Sequence, residues 1–92
     1  MNDILSEEDT LLVQKILTQQ LDVAPEQLVL EARIEEDLMA DSLDKVEISL
    51  ALEESFDFTI PDDQWDEVKT IGELYAAVAE LLERTRQPSR GR

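Results

Sequence analysis

The sequence predicts an all-α protein, a small four-helix bundle of three longer helices and one short one with a long first loop. Three observations carry that expectation. Apolar residues recur at helical rather than alternating spacing, good capping residues stand where those patterns begin, and no segment reads as a convincing strand. A chain of 92 residues with 42% apolar content can build one modest core, with no room for a second domain or a large internal active site.

Ser6, followed by Glu7-Glu8-Asp9, reads as a helix cap with acids in the first turn, where they favour the dipole. Leu12, Val13, Ile16, Leu17 and Leu21 then recur at helical spacing, predicting a first helix over about residues 7–20. Val23-Ala24-Pro25 ends it, because proline biases the residue before it away from helix. Residues 22–40 form a long connection, which Leu28, Leu30, Ile34 and Leu38 are expected to pin against the core. A second helix starts near Ser42. Leu43, Val46 and Leu50 make one apolar line on it, Ile48 and Leu52 another, and Phe56 closes its end. Apolar over so much of its circumference, this helix is expected to be central and to touch several neighbours. Phe58, Ile60 and Pro61 mark a turn, and Asp62-Asp63 are expected to cap a short third helix over roughly 62–67 that carries Trp65. Thr70 with Glu73 forms a capping box for the fourth helix, along which Ile71, Leu74, Tyr75, Val78, Leu81 and Leu82 lie on one stripe. Residues 1–84 are expected to form the domain, and the Arg-rich residues 85–92 a disordered tail with no apolar anchor.

Asp and Glu number 23 against 8 Lys and Arg, a net charge of −15. Four of the bases (Arg84, Arg86, Arg90, Arg92) fall in the last nine residues, which hold no acid, so the remainder carries about −19. Such a body repels nucleic acid and anionic membrane, and steers basic partner proteins towards itself. Met1-Asn2-Asp3-Ile4-Leu5 lacks the marks of a signal peptide, and no apolar run approaches a membrane span. The expectation is a cytoplasmic monomer without stable membrane insertion.

The chain has no histidine and no cysteine. Disulfides, thiolate metal sites and protein thiol chemistry are excluded, so any thiol this protein uses must arrive on a cofactor. Within Asp41-Ser42-Leu43-Asp44, a single serine hydroxyl stands at a helix start among carboxylates. A serine nucleophile needs an adjacent base, normally histidine, and Lys45 comes with no pocket to lower its pKa. Ser42 therefore reads as a target of another enzyme, not as a catalytic residue. Either Asp41 or Ser42 could be a plain N-cap. Equally, a phosphate ester at Ser42 would meet the unpaired N–H groups of a helix start.

Ala40-Asp41-Ser42-Leu43-Asp44 resembles the attachment motif of acyl carrier proteins. Val46-Glu47, Leu50-Ala51-Leu52-Glu53-Glu54-Ser55-Phe56-Asp57 and Ile60-Pro61-Asp62-Asp63 continue the likeness, which covers about residues 35–83. The resemblance implies that a phosphopantetheinyl transferase moves 4′-phosphopantetheine from coenzyme A onto Ser42, and that the arm's thiol carries acyl groups as thioesters. It also implies an acyl pocket lined by Val46, Leu50, Phe56, Ile60 and Val68, for which the plainer role is core packing. Asp41, Asp44, Glu47, Glu53 and Glu54 match the family's recognition face, which would meet basic patches on transferases and on acyl-transferring and chain-extending enzymes. Their plainer role is a solvated helix face.

Three residues or segments depart from the family pattern. Met39 stands where glycine is usual, and is strained if that position needs a positive φ. Trp65 replaces a small residue, and the Arg-rich tail is unusual on so acidic a domain. The leading expectation is a discrete carrier of fatty-acid or polyketide-type synthesis. Its alternatives are an aminoacyl or peptidyl carrier and an acidic helical interaction module that is never modified. Calcium binding through Glu35, Glu36, Asp37, Asp41 and Asp44 lacks the EF-hand spacing and its central glycine, so no metal ligands are assigned.

Overall fold

The computed structural model describes residues 5–86. Its elements are α1 (Glu7–Leu21), α2 (Ser42–Phe56), α3 (Asp62–Asp66) and α4 (Ile71–Arg86), with one short turn of tighter helix at Pro25–Gln27 in the first connection. Local chemistry accounts for the boundaries. Ser6 Oγ accepts from the Asp9 N–H at 3.1 Å, and α1 ends at Asp22 in the left-handed conformation with φ 56°. The capping box of α4 is present: Thr70 Oγ1 accepts from the Glu73 N–H, and Glu73 Oε1 accepts from the N–H groups of Thr70 and Lys69. By contrast, α3 starts at Pro61 with no side-chain cap; Asp62 and Asp63 sit inside its first turn. Residues 85 and 86 of the expected Arg-rich tail belong to α4, which runs through Arg86; residues 87–92 lie outside the described residues.

The core is apolar throughout, with no polar side chain buried among the described residues. Val13 and Leu17 of α1, Ile48 and Leu52 of α2, and Ile71, Leu74 and Val78 of α4 form its centre. Ile16, Leu21, Phe56, Phe58 and Trp65 pack partly buried around it. The line Leu43–Val46–Leu50 takes no part. Those residues are 64%, 51% and 54% exposed, so α2 is a face of the bundle with one buried stripe, not a central helix.

The long connection is held by buried side chains and by its backbone together. Leu28, Ala32, Ile34 and Leu38 are buried, whereas Leu30 is exposed and contributes its carbonyl instead. Three hydrogen bonds strap this segment to the start of α4: Ile34 N–H to Lys69 O (2.9 Å), Ile71 N–H to Ala32 O (3.0 Å) and Gly72 N–H to Leu30 O (2.9 Å). Glycine at 72 suits this close approach, since a Cβ there would lie 3.3 Å from the Leu30 carbonyl oxygen, a tight contact. The strap delivers the chain to residues 33–38, a tight turn braced by Arg33 and Asp37. Met39 then reverses its direction into α2.

Candidate functional site

The site is built by three consecutive backbone decisions. Met39 adopts φ 63°, in the left-handed region, and this bend lets the Ala40 N–H donate to the Ile34 carbonyl at 3.1 Å while Ala40 itself is buried. Asp41 is extended and serves as the N-cap of α2. Its Oδ1 accepts from the Asp44 N–H at 2.9 Å, while its own N–H donates to Asp44 Oδ2 at 3.2 Å. Ser42 therefore falls at the first helical position, not at the cap. With Asp41 doing the capping, the Ser42 side chain is exposed and its hydroxyl makes no hydrogen bond among the described residues. The first N–H groups of the helix around it have no intrahelical carbonyl partner and carry the positive end of the dipole. An unengaged hydroxyl at this point can accept a phosphoryl group into a favourable field.

Among the described residues nothing equips that hydroxyl to act by itself. Lys45, one turn along α2, is ion-paired with Glu35 from the first connection. The pairing holds the Glu35 carboxyl below its usual range, chiefly through the hydrogen bond from Lys45. A second pairing does the same for Asp37, chiefly through the Arg33 side chain and then the Arg33 backbone N–H. Both tie the loop before the site into a fixed shape.

The five acids expected on the recognition face divide by what they touch. Asp41 and Asp44 hold the cap. Asp44 and Glu47 also accept from the side-chain amide of Gln20 on α1, at 3.4 and 2.6 Å. Glu53 is half-buried and its Oε2 accepts from the Ile60 N–H at 2.8 Å, fixing the turn that leads to α3. Glu54 is exposed on the outward side. With 3.6 residues per turn, Leu43, Val46 and Leu50 fall within roughly 60° of arc, with Glu47 and Glu54 on one flank and Glu53 on the other.

The five residues expected to line an acyl pocket also separate. Ile60 and Val68 are buried, and Phe56 is half-buried with its ring stacked on Phe58 at 5.5 Å between centroids. Val46 and Leu50, expected to pack in the core, lie on the opposite, solvent side of α2. The reason is geometric: an apolar helix with two apolar lines can bury only one against the single bundle it faces, and Ile48 with Leu52 takes that place. Gln20 is the residue that sequence reasoning missed. As a glutamine on the polar side of α1, it carries no mark of a tie to α2.

Comparison with known proteins agrees with this geometry. A family model described as acyl-carrier matches residues 4–89. The chain belongs to the acyl carrier family. The "Acyl carrier protein" of Phenylobacterium zucineum is 40% identical over 82 residues, covering 89% of this chain and 98% of that protein. That of Caulobacter vibrioides is 41% identical over 80 residues, covering 87% and 96%. That of Thermosynechococcus vestitus is 48% identical over 62 residues, covering 67% and 76%. As a member of this family the chain is a carrier, not an enzyme, and no helix among the described residues is long and apolar enough to cross a membrane.

Proposed function

We propose that this chain carries acyl groups on a 4′-phosphopantetheine arm attached to Ser42, shuttling intermediates between enzymes of fatty-acid or related lipid or polyketide synthesis in the cytoplasm. The observation that carries the proposal is the hydroxyl of Ser42, exposed at the first position of α2 and without a hydrogen bond among the described residues. In the loading reaction the Ser42 oxygen forms a phosphodiester bond and the pyrophosphate bond of coenzyme A breaks. Adenosine 3′,5′-bisphosphate leaves, and the serine proton passes to a base on the phosphopantetheinyl transferase. The arm supplies the thiol that a cysteine-free chain lacks, and that thiol holds acyl groups as thioesters.

Three features support the division of labour around this site. Asp41 and Asp44 keep the helix start rigid and negative, while Glu47 and Glu54 present charge to basic partners, favouring fast encounter and ready release. Phe56, buried in part, and Ile60 and Val68, both buried, would shelter an acyl chain if the helices part. Domain limits of 1–84, with an Arg-rich segment beyond, belong to the same reading.

The test is intact mass after incubation with coenzyme A, magnesium and a phosphopantetheinyl transferase, beside a Ser42→Ala control. Gain of one phosphopantetheine by wild type alone supports the carrier reading. No gain by folded, initially unmodified protein would favour an interaction module that works through its acidic helices without modification.

A further inference from the structure

We infer that Met39 is a specificity-determining contact for the phosphopantetheinyl transferase that acts on Ser42, its side chain seating in an apolar hollow of that enzyme whose rim is basic. The inference rests on the carrier reading above and adds to it a residue and a surface.

Three residues among those described have a positive φ, and two of them are expected: Asp22 and Asp57 close helices, and aspartate is among the side chains that tolerate this conformation. Met39 is the exception. It closes none of the named helices, it has a long unbranched side chain, and glycine would adopt φ 63° without strain. It is also 79% exposed, the most exposed of the large apolar residues. Backbone strain and exposed apolar surface both count against methionine here, and its side chain makes no hydrogen bond or ion pair that offsets them. Strain retained beside a reactive group is a reason to look for function.

Its placement indicates what the side chain meets. Met39 is the exposed apolar residue just before the start of α2, and Leu43, Val46 and Leu50 form the exposed apolar line of α2 itself. Carboxylates of Asp41, Glu47 and Glu54 flank that line. Met39 lies three positions before Ser42, at most about 11 Å along extended chain. An enzyme that brings coenzyme A to the Ser42 oxygen therefore covers Met39. The surface it must match is apolar in the middle and negative at the edges, and charge complementarity sets the basic rim.

The experiment compares wild type, Met39→Gly, Met39→Asn and Met39→Leu as substrates of a phosphopantetheinyl transferase, varying carrier concentration and following mass gain, with Tm measured on each. Glycine and asparagine relieve the backbone and remove the apolar contact. They are expected to raise Tm, on the order of 4 °C for glycine, and to raise KM roughly five- to tenfold with kcat little changed. Leucine keeps the apolar contact and restores KM most of the way. KM for the glycine and asparagine variants within twofold of wild type, or a loss confined to kcat, overturns the inference while leaving the carrier reading intact. No mass gain by wild type overturns both.

Discussion

At Ser42 the structure separates two roles that the sequence leaves entangled. Either Asp41 or Ser42 could cap α2 by residue type alone, and the capping box between Asp41 and Asp44 assigns the task to the acids. Ser42→Ala should therefore abolish loading yet cost less than about 0.5 kcal/mol, as for other exposed substitutions away from a cap; mass spectrometry and urea denaturation together check this. Asp41→Ala removes the cap and should cost about 1 kcal/mol. Asp41→Asn keeps a good capping oxygen and should retain most of that stability, so any weakening of transferase recognition in it reports the lost charge alone. The φ of Met39 has no marker in its own residue type: the family resemblance, with glycine usual there, raised a positive φ only as a condition, and the structure shows the bend.

At the scale of elements, helix existence was legible and burial was not. Capping residues and the 3.6-residue period located α1, α2 and α4 to within a few residues, since both signals are local. The two apolar lines of α2 are chemically alike, and only the position of α1 and α4 decides that Ile48 and Leu52 are covered while Val46 and Leu50 are not. Adjacent Glu53 and Glu54 illustrate the same limit, being identical in type and opposite in use. Glu53 holds the Ile60 N–H, so Glu53→Ala should destabilise by roughly 1.5–3 kcal/mol, the range for a hydrogen bond to a charged group. Glu54→Ala should leave stability within about 0.5 kcal/mol and weaken binding to basic partners in a salt-dependent way. Parallel denaturation and binding titrations would expose a failure of either half.

For the whole molecule, 23 acids against 8 bases set the response to medium. Raising ionic strength from low to physiological values should raise Tm by screening like charges, the Debye length then falling to about 8 Å; a Tm insensitive to salt would contradict this. Glu35 and Asp37 have carboxyls held below the usual range by Lys45 and Arg33, so their contribution is complete above the ordinary carboxylate pKa and disappears as pH falls through their depressed values. Stability should therefore fall across that acid range, and the fall should weaken in a Lys45→Met, Arg33→Met double variant followed by thermal melts across pH.

The backbone strap between residues 30–34 and 69–72 imposes an order in time. The bend at Met39 and the start of α2 hang from that strap, and half of the strap is made of residues synthesised some thirty positions after Ser42. A growing polypeptide therefore cannot present its attachment serine in working form until the opening turn of α4 has been made and has docked. Loading is expected to follow synthesis, and chains cut short at residue 68 should be poor transferase substrates although they contain the whole of α2.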